Sequence, residues 1–312
     1  MIDYILGFGE INEECKKGVL IDSYFFIYYI KHLLMKINSE LPLCMLSFNN
    51  ELNEYDFVLF HLYKTNKRYR NYYLAQRRLY PDRLMIFDNS AYEFYVKGEQ
   101  LDLEEYFKAI MELKPDMYIL PDVLMDSQKT IDGVTEFFKK YNTRIETATG
   151  CEPLAVIQGN SEEELMKCME IYRDLDICNI AIPFHNSFFV DEMYPSCTED
   201  QIDIIKQHYK EITLDHKYAL GRMEFVTRHV WDLMEFAHVH LLGSHCPFEK
   251  KFYGGFIDTM DTGYPVKCAM EGVMMGHEKS KPNIIIDEFL DKELNPKMKD
   301  LIKLNVSIFR EL

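Results

Sequence analysis

The feature that most constrains the fold is a series of short, wholly apolar runs separated by segments with helical periodicity. The runs do not alternate apolar with polar residues, and this is the pattern expected of parallel strands that are covered on both faces. The predicted strands are Tyr4–Leu6, Phe57–Phe60, Leu84–Phe87, Met117–Leu120, Leu154–Ile157, Asn179–Ile182, His240–Leu242 and Phe256–Ile257. Eight strands with intervening helices predict an α/β protein with a (β/α)8 TIM barrel, and an open doubly wound sheet is the competing fold.

The segments between the runs carry helix signals. Ser161 with Glu164, and Thr198 with Gln201, have the spacing of capping boxes at helix starts. Helices are predicted at 24–37, 101–114, 127–141 and 296–311. The chain has no internal repeat and no Pro/Gly-rich linker, so residues 1–312 are predicted to form one domain that ends in the last of these helices.

Composition limits the class of protein. Hydrophobic residues make up 47% and charged residues 28% of the chain, which is ordinary for a globular protein. No apolar run approaches the roughly 20 residues of a membrane helix, and no signal peptide is recognisable. The eight cysteines contain no C-x-x-C pair, which favours free thiols in the cytoplasm over disulfides or a zinc knuckle.

Positive charge is concentrated in one segment, although the net charge of −16 argues against a protein that coats nucleic acid non-specifically. Residues 61–83 hold seven Lys/Arg and one acid, with five tyrosines among them. The segment is interpreted either as a solvated basic helix or as a stripe that contacts phosphates and stacks tyrosines on unpaired bases. The candidate nucleic-acid contacts are Lys67, Arg68, Arg70, Arg77 and Arg78.

Acids and amides follow four of the apolar runs. Asp88, Asp122, Gln158 and Asp261 each lie where a predicted strand ends or just beyond it. A barrel would gather them at its C-terminal end, where carboxylates suit nucleophilic and acid–base chemistry at an acetal-like carbon. The alternative is that these acids cap the helices that follow, as Asp122 and Asp126 could do for 127–141.

Histidines offer a weaker signal. His238, His240, His245 and Cys246 could form a metal site, but the pattern favours histidines of the core or of loops, and no metal is predicted.

The motifs resemble those of the tRNA-guanine transglycosylase superfamily, in the family's order, over roughly residues 84–270. FDNSAYE is similar to the family's D-S-G-G-F element with Asp88 at its first residue, and VIQGN is similar to V-Q-G-G at Gln158 and Gly159. PDV matches the acidic base-recognition strand at Asp122. IDTMDTGYPVK resembles I-D-M-F-D-C-V-L-P-T-R without a gap and puts Asp261 on the nucleophile.

Two departures narrow the resemblance. The family's C-x-C-x-x-C…H zinc site has only Cys268 and His277 as counterparts after Asp261, so no zinc is expected. Glycines of the family are replaced by Ser90 and Ala91. The chain is therefore most similar to the DNA branch, the transglycosylases of phages and modification islands that insert 7-deazaguanines into DNA.

The resemblance implies base exchange in a polynucleotide. Asp261 is implied as the nucleophile and Asp88 as the general acid/base. The residues implied to bind the base are Asp122, Gln158, Gly159, Ser90, Tyr92 and Met260. No cofactor is required, because one glycosidic bond replaces another. The expected partners are DNA or tRNA and a 7-deazaguanine base such as preQ0, with a second copy of the chain as a further candidate and no membrane. A tRNA transglycosylase without zinc and a non-catalytic nucleic-acid-binding subunit stay open as alternatives.

Overall fold

Eight parallel strands close into a nearly complete barrel, as predicted, and six of the predicted apolar runs overlap these strands. The structure, a computed structural model, describes residues 35–253, 255–276 and 292–311. The strands are β1 (Lys36–Ser39), β2 (Asp56–Leu59), β3 (Met85–Asp88), β4 (Met117–Ile119), β5 (Glu152–Val156), β6 (Asn179–Pro183), β7 (His238–Leu242) and β8 (Thr259–Thr262). Each pairs in parallel with its neighbours in the order β1-β8-β7-β6-β5-β4-β3-β2. The fold is therefore a (β/α)8 TIM barrel rather than an open doubly wound sheet.

Helices lie between the strands along the chain. They are α1 (Asn49–Leu52), α2 (Phe60–Thr65), α3 (Lys67–Leu79), α4 (Ala91–Lys97), α5 (Leu103–Leu113), α6 (Ser127–Phe137), α7 (Thr143–Thr149), α8 (Glu162–Asp174), α9 (Glu199–Lys206), α10 (Leu214–Arg228), α11 (Val230–Leu233), α12 (Tyr264–Met270) and α13 (Pro296–Glu311). Short 3-10 helices occur at Leu43–Phe48, Tyr194–Ser196 and Glu249–Phe252, and π-helical turns at Phe138–Asn142 and Phe189–Met193. None of the helices in the described ranges is both long and apolar enough to cross a membrane.

The local signals of the sequence explain where several helices begin. The Thr198 side chain accepts a hydrogen bond from the Gln201 backbone amide, and the Gln201 side chain accepts one from the Thr198 backbone amide, so this capping box is confirmed. At α8 the Ser161 hydroxyl caps the helix, but the carboxylate of Glu164 accepts from the Asn160 amide instead of closing the box.

One strand prediction is wrong, and the end of one predicted helix forms a strand. The last strand is Thr259–Thr262 and not Phe256–Ile257. The barrel takes its first strand from Lys36–Ser39, whose first two residues were predicted to end the helix 24–37. The predicted strand Tyr4–Leu6 and the rest of that helix lie outside the described residues. The terminal helix is confirmed as Pro296–Glu311.

The strands β1 and β2 are held together largely by side chains, because the paired order runs from β1 round to β2 without a ladder between them. The Ile37 amide donates to Glu54 Oε2 at 2.8 Å, and the Ser39 amide donates to Asn53 Oδ1 at 2.7 Å. Asn38 Nδ2 donates to the Tyr55 carbonyl at 2.8 Å. These bonds satisfy the amides of Ile37 and Ser39 on β1 and the carbonyl of Tyr55, which directly precedes β2, so these buried backbone groups are not left unpaired.

Candidate active site

The four strand-end residues singled out from the sequence lie at the C-terminal end of the barrel. Asp88 is the last residue of β3, and Asp261 is the third residue of the four in β8. Asp122 and Gln158 follow β4 and β5, and the Gln158 side-chain amide donates to Asp122 Oδ2 at 2.8 Å. The structure thus brings these residues to one end of the barrel, which is where the loops of such barrels gather catalytic groups.

Asp261 is buried and held by two neighbours on β7 and the loop after it. Its Oδ1 accepts a hydrogen bond from the Gly243 amide at 2.8 Å and lies 3.1 Å from His240 Nε2. His240 is fully buried and stacks on Phe57 of β2, with ring centroids 5.3 Å apart. The carboxylate therefore has one fixed orientation in the barrel.

A chain of side chains continues inward from His240. Thr259 Oγ1 lies 2.8 Å from His240 Nδ1 and 2.7 Å from His238 Nε2. The contacts allow donation from His238 Nε2 to the Thr259 oxygen, from the Thr259 hydroxyl to His240 Nδ1, and from His240 Nε2 to the carboxylate of Asp261. The chain thus holds the ring of His240, and through it Asp261, in one orientation.

The surroundings of Asp88 raise the pKa of its carboxyl group. Its carboxyl group is buried, and burial together with the negative charges of Glu93 and Asp261 raises its pKa well above the usual range. The Ser90 amide donates to Asp88 Oδ2 at 2.8 Å, which opposes the rise without cancelling it. The surroundings of Asp88 thus favour its protonated form.

Asp122 belongs to a network that joins three successive loops. Asn89 Nδ2 donates to Asp122 Oδ1 at 2.8 Å and also to the Leu120 carbonyl at 2.7 Å. Gln158 donates to the other carboxyl oxygen, and its own oxygen accepts from the Met125 amide at 3.0 Å. Burial raises the pKa of Asp122, while the two amide hydrogen bonds oppose that rise. Asp122 does not cap α6; the Asp126 side chain does so by accepting from the Lys129 amide.

The remaining residues expected to bind the base are placed less uniformly. Gly159 lies beside Gln158, and a Cβ there would come within 2.6 Å of Glu164 Cβ, so the loop requires glycine for close packing. The Tyr92 ring is 53% exposed and stacks near His185 with centroids 6.3 Å apart, at the mouth of the barrel. Both positions are compatible with contact to a ligand at this end.

Ser90 and Met260 point elsewhere. Ser90 has a left-handed backbone (φ 61°), and its hydroxyl accepts from the His61 amide at 3.1 Å and lies 2.9 Å from the His61 ring. The side chain therefore ties the loop after β3 to α2. Met260 neighbours Asp261 on β8, and successive side chains of a strand point to opposite faces. Met260 is fully buried on the face away from the carboxylate, so the expectation that it stacks on a base does not fit its position.

The basic segment forms α2 and α3, and its arginines are unequal. Arg70 pairs with Glu112, and Arg77 makes two hydrogen bonds to Asp116, which immediately precedes β4. The end of α3, with Arg77 and the exposed Arg78, therefore lies at the N-terminal end of the barrel, opposite Asp88 and Asp261. Lys67 and Arg68, in the first turn of α3, are exposed and form no ion pair with the described part of the chain.

The tyrosines of this segment belong mostly to the core. Tyr63, Tyr69 and Tyr73 are buried, and Tyr72 is half-buried. A buried ring cannot stack on a base, so stacking by these three tyrosines is wrong. Tyr80 is exposed but follows α3 at the far end of the barrel.

One group among the described residues has the composition and spacing of a metal site. It consists of His185, Asp215 and His245, whose ligand atoms lie within 4.8 Å of one another. The set considered from the sequence is not brought together, because His238 and His240 bond Thr259 instead. His277 lies outside the described residues.

The sequence analysis missed three partners of the predicted residues. Asn89 lies inside the quoted motif FDNSAYE, and an amide directly after a strand-end acid is a signal that could have been used. His240 was considered only as the start of a strand and as a metal ligand, and Gly243 was not singled out.

Comparison with protein-family models and with curated proteins finds no match for this chain. The function must therefore be inferred from the geometry of the site and from the ordered motifs.

Proposed function

We propose that this protein is a base-exchange glycosyltransferase that replaces guanine in DNA with a 7-deazaguanine base. The observation that carries the proposal is the contrast between two carboxyl groups at the same end of the barrel. Burial and neighbouring negative charge raise the pKa of Asp88, whereas Asp261 accepts from the Gly243 amide and contacts His240 Nε2 through one carboxylate oxygen. Two carboxyl groups with opposed environments are the arrangement that acid catalysis and nucleophilic attack at a glycosidic carbon require.

In the first step, a carboxylate oxygen of Asp261 attacks C1′ of the target nucleotide. The bond from C1′ to N9 of guanine breaks, and its electron pair leaves with the base. Protonated Asp88 gives its proton to the purine, which departs as neutral guanine. The product is a glycosyl ester on Asp261, and Asp88 is now ionised.

In the second step, the 7-deazaguanine enters the emptied pocket. Asp88 takes the proton from N9–H, and N9 attacks C1′ as the ester bond to Asp261 breaks. Both carboxyl groups return to their initial states, so the cycle needs neither a cofactor nor an external proton donor.

The network around Asp122 supports recognition of a guanine-like edge. A carboxylate oxygen accepts more than one hydrogen bond, so Asp122 can accept from N1–H and the 2-amino group while it keeps its bonds from Asn89 and Gln158. The Gln158 amide nitrogen carries a second hydrogen for O6. Because the network holds Asp122 from both sides, the base-reading groups are ordered before a base binds.

The target nucleotide has to leave a duplex or come from a single strand, because C1′ chemistry with base exchange needs an extruded base. Tyr92 at the mouth is available to stack on that base. Lys67 and Arg68 are the exposed cations of the basic segment that lie toward this end, and they are proposed to contact the phosphates.

The test measures labelled guanine that becomes bound to polymer, with DNA and tRNA offered separately. We expect label in DNA with the wild-type protein and none with Asp261→Asn, because the nucleophile is lost. Asp258→Asn is the matched control: Asp258 precedes β8 at the other end of the barrel and accepts from the Val239 amide at 2.9 Å, so exchange should continue.

Denaturing electrophoresis should show a covalent adduct between the wild-type protein and its polymer, and peptide mapping should find it at Asp261. Label in tRNA alone would make tRNA the substrate. An adduct at another residue, or undiminished exchange by Asp261→Asn, would refute the role of Asp261. Absence of exchange with both polymers would refute the proposed function.

A further inference from the structure

Two histidines and one aspartate converge beside the proposed active site from three separate loops. His185 follows β6, His245 follows β7, and Asp215 lies in the first turn of α10. Asp215 is buried, His245 half-buried and His185 exposed. The ligand atoms all lie within 4.8 Å of one another, and His245 Nδ1 is 3.6 Å from Asp215 Oδ1.

We propose that His185, Asp215 and His245 bind one divalent transition-metal ion, with Zn²⁺ as the first candidate. Two imidazoles and a carboxylate are a ligand set that zinc and ferrous iron both accept. Bonds of 2.0–2.2 Å at tetrahedral angles put ligand atoms about 3.3–3.6 Å apart. The pair His245–Asp215, at 3.6 Å, is already at this separation. The other ligand atoms, which lie within 4.8 Å of one another, need to close by about 1.5 Å at most, a movement that side-chain rotation supplies.

The surroundings hold the ligands in place. Aromatic rings pack against both imidazoles: Phe184 lies 5.3 Å from His245, and Tyr218 lies 5.3 Å from His185, measured between centroids. Asp215 is fixed by the start of α10, where Thr213 and the residue three positions later form a capping box. Rigid ligands on different elements reduce the entropy that an ion must overcome on binding.

The site differs in chemistry from the thiolate zinc site of the transglycosylases that the sequence resembles. Cys246 follows His245 directly, but its buried thiol is not among the ligand atoms that converge. Three protein ligands leave at least one coordination position for water or another oxygen ligand, as in open metal sites.

The location links the ion to the loops that carry the carboxyl groups. Gly243, two residues before His245, donates its amide to Asp261. On the other side, the ring of His185 stacks near Tyr92, four residues after Asp88. The ion would therefore fix the loops after β6 and β7 at the mouth of the barrel. The base exchange proposed above does not need it, so this inference goes beyond that function.

The first experiment measures metal retention without base or polymer, so its outcome is independent of base exchange. Chelator-treated protein is given Zn²⁺ or Co²⁺, passed through a desalting column and analysed for metal. We expect about one ion per chain, and a Co²⁺ complex with visible d–d absorption. Asp215→Asn and the double variant His185→Ala/His245→Ala should each weaken binding at least about 100-fold, because lost outer-shell partners alone cost 10–100-fold.

His229→Ala is the matched control. His229 also lies between carboxylates, with Glu162 at 2.8 Å and Asp232 at 3.4 Å, but it is the only histidine of that cluster. Its loss should leave retention unchanged. Retention of neither ion by the wild-type protein, or equal retention by the double variant, would overturn the proposal.

A second measurement uses only the wild-type protein, in case a variant fails to fold. Diethyl pyrocarbonate modifies accessible imidazoles, and mass spectrometry locates the modified residues. Added Zn²⁺ should protect His185 and His245 from modification and leave the exposed His208 unaffected. Equal modification of His185 and His245 with and without Zn²⁺ would overturn the metal site.

Discussion

The buried ion pair between Arg222 and Glu249 gives the sharpest prediction about stability. Both side chains are fully buried, and the guanidinium donates twice to Glu249, at 2.7 and 2.8 Å. Its other hydrogen bonds go to the carbonyls of Ile182, Leu242 and Gly243 at 3.0, 3.2 and 2.7 Å. Arg222 on α10 thus ties together the C-terminal ends of β6 and β7.

Removing one partner should cost far more than the value of an ordinary hydrogen bond. Glu249→Ala leaves a guanidinium without a counter-charge in the interior, and it also removes the acceptor of Ser244 Oγ and of Tyr253 Oη. A broken buried pair of this kind costs about 3–5 kcal/mol. Arg222→Met should cost a similar amount, because three carbonyls and the carboxylate lose their donor.

The double variant Arg222→Met/Glu249→Ala separates the ion pair from the rest. It removes both charges, so its loss of unfolding free energy should be smaller than the sum of the single losses by about 2–3 kcal/mol. Urea denaturation followed by circular dichroism measures all four proteins. A loss below about 1 kcal/mol for Glu249→Ala, or additivity within about 0.5 kcal/mol, would refute this reasoning.

Four further predictions concern the site and its support. Thr259→Val breaks the chain of side chains behind Asp261, so the exchange rate should fall by up to about tenfold with little change in KM, since one hydrogen bond is lost. Asp88→Asn should abolish exchange yet raise stability at neutral pH. Because the pKa of the Asp88 carboxyl is raised in the native protein, the wild type loses stability as the pH rises above the pKa that this group has in the unfolded chain. The extra stability of Asp88→Asn should therefore vanish below about pH 4. Gly221→Ala should cost at least about 2 kcal/mol, because the new Cβ would lie 1.8 Å from a backbone oxygen of the adjacent π-helical turn. Replacing Lys67 and Arg68 with Gln should flatten the dependence of log K on log salt for polymer by about 1.4–1.8.

Each of these has an outcome that contradicts it. Normal kinetics in Thr259→Val would show that the chain does not support Asp261. Equal unfolding free energies for Asp88→Asn and the wild type at every pH would show that burial does not raise the pKa of the native Asp88 carboxyl group. Unaltered urea midpoints for Gly221→Ala would mean that the π-helical turn moves freely. If the Lys67/Arg68 variant kept the wild-type dependence of log K on log salt, the polymer would have to bind a different surface.

The barrel was predictable because most of its strands are apolar on both faces. β1 and β8 were missed or misplaced for a physical reason: they carry Asn38, Ser39, Thr259 and Asp261. Asn38 bonds across the seam with β2, and Thr259 and Asp261 belong to the buried chain with His240, so these strands lack the pattern of an apolar run. The places where the pattern fails are thus the places where the barrel holds polar networks.

The site was predictable only in part. The rule that parallel strands end together was sufficient to group Asp88, Asp122, Gln158 and Asp261. It could not reveal which neighbours orient them, because the contacts of Asp261 with Gly243 depend on the register of β7 and β8. The cluster of His185, Asp215 and His245 is spread over separate loops and forms no motif, so only the folded chain brings it together.

The seam between β1 and β2 gives the barrel a preferred line of opening. Elsewhere a strand separates only if a ladder of main-chain bonds breaks, but here the amides of Ile37 and Ser39 are shielded from solvent exchange by the side chains of Glu54 and Asn53. A main-chain bond from the Glu54 amide to the Ile37 carbonyl at 3.2 Å also crosses the seam, but no ladder does. The amide protons of Ile37 and Ser39 should therefore exchange with deuterium earlier than those inside the paired strands. On its other edge β1 pairs with β8, with Asn38 opposite Asp261. The seam between β1 and β2 is therefore one strand away from Asp261, so opening of the barrel at this seam would displace that carboxylate before the other residues of the site.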